Sequence, residues 1–437
     1  MRPLLAALVI VWAVPFSPAL AQHTDHQHGQ GEPQESREPE PEPHAEHTGH
    51  AFPGMLGSYD GSRDASGTAW QPSSSGHEGI HSMSGAWHLM LHGFILPTWT
   101  DQGGPRGDDD FFASTMIMGR AVRDAGPGRL SLRVMLSADP GTVGNDGYPL
   151  LLQTGETSDG ITPLIDRQHP HDFFMELATS YALLGRNHSL FGYAALAGEP
   201  ALGPPVFMHR RSGIDIPEAP IGHHWLDSSH ITFGVVTAGA ILGSWKLEGS
   251  AFRGREPDHE RWNIEEPKLD SYSARLSWNP SPAWALQGSF GRLESPEELH
   301  PETDTERTIL SVIYNKPSPH GNWQTTLAWG RNRNDPGLTL DAFLLESTWT
   351  FDVRHSILGR VEVAEKDELF LEDDPLHGLS FRVAHGGLGY LYDAFLWEHA
   401  VLGVGVYGTL SLVPDDLEPS YGSDPLSGTV FARLKLR

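Results

Sequence analysis

The chain has 437 residues with a formal net charge of −26, 48 glycines, 13 tryptophans and no cysteine. The acidic balance excludes a nucleic-acid-binding surface, which needs clustered basic residues, and favours cationic partners. The lack of cysteine excludes disulfide bridges and thiolate metal sites, so any metal must be held by His, Met or carboxylate groups.

The first 21 residues have the features of an export signal. A basic Arg2 precedes an apolar stretch, and residues 19–21 form the small-x-small pattern that signal peptidase cleaves. Pro15 and Pro18 interrupt this stretch before it reaches the roughly 20 apolar residues of a membrane-spanning helix. We therefore expect residues 1–21 to be a cleaved signal peptide and the mature chain to be exported.

Residues 22–76 predict a disordered tail that is rich in His, Glu and Pro. Its few apolar side chains cannot offset the entropy cost of ordering the chain. Two interpretations stay open: a low-affinity cation trap in the periplasm, and a solubilising linker. The candidate metal ligands of the tail are His23, His26, His28, His44, His47 and His50.

Residues 77–437 predict an all-β fold, a transmembrane antiparallel up-and-down β-barrel of about 16 strands. Segments of about ten residues alternate apolar and polar positions, and short connectors with Gly, Pro and Asn alternate with long polar loops. A soluble β-sandwich is the alternative, but it needs no such alternation of loop lengths. The predicted strands are 85–95, 111–122, 129–139, 172–183, 190–198, 230–239, 245–254, 270–278, 283–292, 306–315, 322–331, 340–351, 356–365, 379–390, 398–411 and 427–437.

Outward-facing aromatic residues gather next to the predicted short turns. Such a row is typical of the interfacial girdle of a membrane barrel, where amphipathic rings lie at the headgroup level. The members of this row are Trp245, Trp278, Trp284, Tyr314, Trp323 and Trp349.

From about Ser84 to Arg437, this strand pattern resembles bacterial outer-membrane β-barrels of the porin type. The resemblance implies a Gram-negative outer-membrane location, contact with outer-membrane lipid, and either a homo-oligomer or a periplasmic partner. An even strand number places the N-terminal tail in the periplasm. The tail stretches "HTDHQH" and "HAEHTGH" resemble the tails of outer-membrane copper-resistance protein B, which implies copper as the metal.

The stretch "AWHLMLHGF" predicts a strand with Leu89 and Leu91 facing lipid and soft ligands facing the interior. Neighbouring side chains on one face of a strand lie about 6.6 Å apart, so adjacent strands must help to bind one ion. Thioether and imidazole suit Cu(I), whereas the alternative is packing by flexible methionines. The interior candidates are His88, Met90, His92, Met116, Met118 and Met135.

Two long loops hold a denser set of His and carboxylate groups, and we expect these loops to meet. The set predicts a divalent metal site, or a charged constriction in which the side chains hydrogen-bond the loops to the wall. The loop candidates are Asp166, His169, His171, Asp172, Glu176, His209, His223, His224, Asp227 and His230.

These features predict a channel or export-associated barrel that handles transition-metal cations, copper foremost. No tightly bound cofactor is implied beyond copper or another transition metal. One alternative is a general small-solute porin with structural histidines, and another is a structural barrel that scaffolds a partner protein. Enzymatic activity is not expected, because Ser228 and Ser229 in "WLDSSH" lack the strand-turn-helix context of a hydrolase nucleophile.

Overall fold

The computed structural model describes residues 52–76 and 78–437. The period-two alternation folds as extended strands, since it gives each strand one apolar and one polar face. Within the described ranges there are nineteen strands. They are β1 (Ile80–Ser84), β2 (Trp87–Asp101), β3 (Asp109–Ala125), β4 (Gly128–Leu136), β5 (Tyr148–Thr157), β6 (Pro163–Gln168), β7 (Phe174–Leu184), β8 (His188–Gly198), β9 (Thr232–Leu242), β10 (Trp245–Phe252), β11 (Ser271–Trp278), β12 (Trp284–Leu293), β13 (Asp304–Ser318), β14 (Gly321–Asp335), β15 (Thr339–Phe351), β16 (His355–Lys366), β17 (Phe381–Leu396), β18 (Ala400–Leu412) and β19 (Leu426–Leu436).

Sixteen of these strands form a closed antiparallel barrel: β2 to β4 and β7 to β19. Each strand pairs with the next along the chain, and β19 returns to β2 with Gly428 opposite Asp101 and Lys435 opposite Phe94. Strand β1 forms a hairpin with the first half of β2. The predicted fold class and all sixteen predicted strands are confirmed, with ends that differ by up to six residues.

The connections differ between the two ends of the barrel. At one end, turns of two to five residues join the strands. At the other end lie the longest loops, 137–173 and 199–231, and the first of these contains the β5–β6 hairpin. The three α-helical segments within the described residues also lie in loops at this end: α1 (Asp139–Thr142), α2 (His223–Leu226) and α3 (Glu418–Tyr421). No helix of the described residues has both the length and the apolarity needed to cross a membrane.

The outer surface carries the predicted apolar belt. Leu91, Ile95 and Trp99 of β2 are exposed, whereas Met90 and His92, on either side of Leu91, are buried in the interior. The aromatic row near the short turns is also confirmed. The Trp245 and Trp278 rings stack with centroids 4.9 Å apart, and five of the six members are at least one-third exposed: Trp245, Trp278, Trp284, Trp323 and Trp349.

The expected disordered tail is wrong for residues 52–76, which fill part of the barrel interior. Side chains of the wall bind this segment along its length: Arg120 pairs with Asp64 at 2.8 Å, and Arg275 donates to Thr68 Oγ1 at 2.9 Å. Lys246 donates to the Thr68 carbonyl. The composition of the segment gave no hint of this, because wall cations that are distant in sequence supply its partners.

We call residues 52–76 the lumenal segment. The Val206 amide of loop 199–231 donates to Ser66 Oγ at 3.0 Å, so this loop also lies within the barrel. The predicted signal peptide and the six tail histidines lie outside the described residues.

Candidate functional site

The ends of the two long loops meet, as the sequence predicts, and bring five histidines together. We call His169, His171, His223, His224 and His230 the histidine cluster. All five are buried. The ring centroids of His171 and His230 are 5.3 Å apart, as are those of His223 and His230, while His169 lies 5.8 Å from His223.

Asp227 orients two rings of the cluster. It follows the single turn of α2, so its carboxylate accepts a hydrogen bond from His223 Nδ1 at 2.6 Å, four residues before it. Its backbone carbonyl lies 2.9 Å from His230 Nδ1. The Gly222 amide, at the start of α2, donates to the Glu362 carboxylate of β16 at 3.0 Å. The turn that presents these rings is therefore fixed to the barrel wall.

Carboxylates also orient the other three rings. His171 Nδ1 lies 2.8 Å from Asp139 Oδ2, and Asp139 Oδ1 accepts from the backbone amide of Thr115 in β3. The other two rings each lie next to a glutamate: His169 Nε2 is 3.1 Å from Glu156, and His224 Nδ1 is 3.1 Å from Glu256.

Burial sets the charge of these rings. It lowers the pKa of His169 and His230 well below the usual range, so both imidazoles are neutral at neutral pH. Burial acts on His224 in the same direction, but the Glu256 carboxylate outweighs it and raises the pKa of His224.

In the part of the chain that the structure describes, three of the five rings are hydrogen-bonded through Nδ1 and leave Nε2 without a partner, and Nε2 of a fourth ring, His224, is also without one. The Nε2 atoms of His171, His223 and His230 are buried and have no hydrogen-bond partner among the described residues. Histidine metal ligands have this arrangement, in which one ring nitrogen is held by a carboxylate or carbonyl and the other binds the ion. No three ligand atoms of the cluster lie within 4.8 Å of one another, so the rings must turn towards each other to share one ion.

The remaining loop candidates are not brought into the cluster. Glu176 pairs with Arg133, Asp172 with Arg261 and Asp166 with Arg106. Each of these carboxylates therefore has an arginine partner, and metal binding by any of them stays a prediction. His209 contacts Met135, with Nε2 3.3 Å from Sδ.

The structure places the interior candidates in different surroundings. Met90, His92 and Met118 line one cavity of about 60 Å³ together with His209. His88 packs against the ring of Phe52, and Met116 is buried in an apolar cluster. The strand faces are therefore confirmed, while metal binding by this set stays a prediction.

No protein-family model and no curated protein match the chain, so no sequence match supports the expected similarity to copper-resistance protein B. Solved structures with a similar fold include OmpF of Salmonella typhi in complex with daunomycin, at 8% identity and a TM-score of 0.49 over 82% of this chain and 100% of that chain. An anion-selective porin from Comamonas acidovorans matches at 9% identity and a TM-score of 0.46, over 80% of this chain and 99% of that chain. The outer membrane channel DcaP of Acinetobacter baumannii matches at 10% identity and a TM-score of 0.46, over 82% of this chain and 100% of that chain. Identities this low say nothing of what this chain binds or transports.

A buried ion-pair network holds loop 199–231 in place. Arg210 pairs with Asp227 at 2.5 Å and with Glu346 of β15 at 2.6 Å, and all three side chains are buried. Asp227 therefore belongs to this ion-pair network and also binds His223 of the histidine cluster.

Sequence reasoning missed the carboxylates that support the cluster, Asp139, Glu156 and Glu256. Asp139 and Glu156 have no neighbouring histidine in the sequence that would suggest a shared site. Glu256 has one, His259, but that residue is not in the cluster. Their role depends on how the loops fold back into the barrel.

Proposed function

We propose that this chain is an outer-membrane barrel that binds a divalent transition-metal cation at the histidine cluster within a filled lumen. The observation that carries the proposal is the set of three buried Nε2 atoms, on His171, His223 and His230, whose rings are held through Nδ1.

Imidazole ligands suit Zn²⁺, Cu²⁺, Ni²⁺ and Fe²⁺ and disfavour Mg²⁺ and Ca²⁺, which prefer oxygen ligands. Copper is one member of this class, and its selection over the others stays a prediction. A bound cation would also compensate the cost of burying nitrogens without partners.

The outer-membrane location is supported by the exposed apolar belt and by the aromatic row at the turn end. A water-soluble protein rarely exposes a continuous apolar surface of this extent, and a closed barrel satisfies the backbone hydrogen bonds that lipid cannot. A homo-oligomer and a periplasmic partner both stay predictions.

A general small-solute porin is the main alternative, and the barrel itself is compatible with it. Such a pore would need an open path, whereas inward-facing side chains such as Arg120, Lys246 and Glu346 are buried against the lumenal segment and loop 199–231. The scaffold alternative would need room for a partner in a lumen that this chain fills with its own residues.

The direct test measures Co²⁺ and Zn²⁺ binding to the purified full chain in detergent, by calorimetry and elemental analysis. We expect His171→Ala with His223→Ala to lose one bound ion relative to the parent. The matched control is His385→Ala, which removes another buried lumenal histidine outside the cluster. Equal ion binding by the double variant and the parent would overturn the proposal.

A further inference from the structure

A second set of metal-ligand groups lies outside the histidine cluster, in other loops at the same end of the barrel. Glu297 and His300 belong to loop 294–303, and Glu368 belongs to loop 367–380. One ligand atom from each of the three lies within 4.8 Å of the other two. Within residues 52–76 and 78–437 this is the one group of three His or carboxylate residues with that geometry. We call it the outer triad.

The two carboxylates of the outer triad have no cationic partner of their own. Among the described residues, no Lys or Arg nitrogen lies within 4.0 Å of either Glu297 or Glu368, whereas neighbouring Glu298 pairs with Arg255 at 3.0 Å. Two adjacent carboxylates repel each other when both are ionised, and a bound cation relieves that repulsion. The third member, the His300 imidazole, adds a nitrogen ligand to the two carboxylates.

The outer triad opens into a cavity of about 390 Å³ that extends towards the histidine cluster. Its wall includes Glu297, His300 and Glu368 and, further in, Gly155 and Glu156. Two members of the cluster, His169 and His224, lie behind this part of the wall. One Glu156 oxygen lies 3.1 Å from His169 Nε2 and the other pairs with the Arg261 guanidinium, while the His224 ring packs directly behind Gly155.

Gly155 is required for that close approach. A Cβ at this position would lie 2.6 Å from His224 Nε2 and Cε1, and the residue has a φ of +104°, which favours glycine. The His224 Nε2 atom is buried and without a hydrogen-bond partner in the described residues. Gly155 therefore lies between the cavity and the His224 Nε2 atom, which has no hydrogen-bond partner in the described residues.

We propose that Glu297, His300 and Glu368 form a second site for a divalent transition-metal cation, from which the ion passes along Glu156 to the histidine cluster. Two carboxylates and one imidazole suit Zn²⁺, Co²⁺ or Ni²⁺ and leave coordination positions for water, so the ion can exchange. The site stands on its own geometry, whereas its role as an entry point rests on the proposed function.

The test compares two variants that each replace two carboxyl side chains of the same cavity by amides. The first is Glu297→Gln with Glu368→Gln. The control is Glu372→Gln with Asp373→Asn, which line the cavity but are not in the outer triad. Co²⁺ is added to the full chain, and its stoichiometry and d–d absorption are measured. Every variant retains the tail histidines, so differences from the parent report on the barrel.

We expect the first variant to bind one Co²⁺ fewer than the parent and to load the histidine cluster at a rate on the order of tenfold lower. The control should match the parent in stoichiometry. Unchanged stoichiometry in the first variant, or an equal loss in the control, would overturn the outer site. A lost ion with an unchanged loading rate would overturn the passage to the cluster.

The two proposals fail separately. If His171→Ala with His223→Ala loses an ion while the outer-triad variant does not, only the outer site is wrong. If the outer-triad variant loses an ion while the histidine variant does not, the proposed function is wrong and the entry-point role falls with it, but the outer site stands.

Discussion

The imidazole rings of His171 and His230 lie edge to face at 73°, with centroids 5.3 Å apart, although they come from different loops. Asp139 in one loop and the Asp227 carbonyl in the other each bind the Nδ1 atom, so both Nε2 atoms stay without a partner. The two loops therefore meet at two imidazole rings whose orientations are fixed through Nδ1.

Asp139→Asn is expected to weaken cation binding by roughly 10- to 100-fold, as other substitutions beneath histidine ligands do. The Asn carbonyl can still accept from Thr115, but its amide then faces His171 Nδ1 and displaces the proton to Nε2. The affinity for Zn²⁺, measured by competition with a chelating dye, tests this expectation. Asp159→Asn, in an exposed turn of the same loop, is the control and should leave the affinity unchanged. An affinity equal to that of the parent would show that Asp139 does not position a ligand.

The lumenal segment should be protected from solvent in the folded barrel. The chain has no cysteine, so a single Thr68→Cys substitution introduces a unique thiol at a buried position. We expect its reaction with a charged thiosulfonate reagent to be on the order of 100-fold slower than in denaturant, because labelling requires opening of the lumen. Met83→Cys, at an exposed position, is the control. Rapid labelling of both thiols would place the segment outside the barrel.

A charge in the middle of the apolar belt should destabilise the barrel in lipid. Leu345 lies at the centre of β15 and faces outward, so Leu345→Arg is expected to cost about 2–4 kcal/mol of unfolding free energy in phospholipid vesicles. Leu338→Arg makes the same change in an exposed loop and should have little effect. Tryptophan fluorescence during guanidinium titration measures both. Equal costs at the two positions would contradict the assignment of the lipid-facing surface.

Arg210→Met should loosen loop 199–231. The substitution leaves the buried carboxylates of Asp227 and Glu346 without their shared cation, which is expected to cost about 3–5 kcal/mol. Limited proteolysis should then cut the loop at protease concentrations that leave the parent intact. Arg333→Met removes an exposed partner of Glu306 and is the control. If both variants resist proteolysis equally, the network does not hold the loop.

The barrel could be predicted from sequence because each strand carries its own signal. Leu89, Leu91 and their counterparts repeat every second residue, and this local pattern needs no knowledge of the partner strand. The cluster could be predicted as two groups of histidines in loops that meet, but not the residues that orient its rings. His169 with His171 and His223 with His224 are visible as short motifs, but their supports Asp139, Glu156 and Glu256 are joined to them only by loop folding.

The lumenal segment could not be predicted for a related reason. Its composition is that of a chain with too little apolar surface to order itself. Its partners include Arg120 of β3 and Lys246 and Arg275 of the neighbouring strands β10 and β11. A segment whose partners lie far from it in sequence has no local signature.

The closing seam of the barrel has a consequence for how the molecule is assembled. β19 pairs with β2, and only the short strand β1 lies between β2 and the lumenal segment. The cations that hold this segment lie on β3 and on the neighbouring strands β10 and β11. Their hydrogen bonds to the segment can form only when it lies inside a wall that contains all three strands. Filling of the interior is therefore coupled to assembly of the wall, because each supplies the buried polar partners of the other.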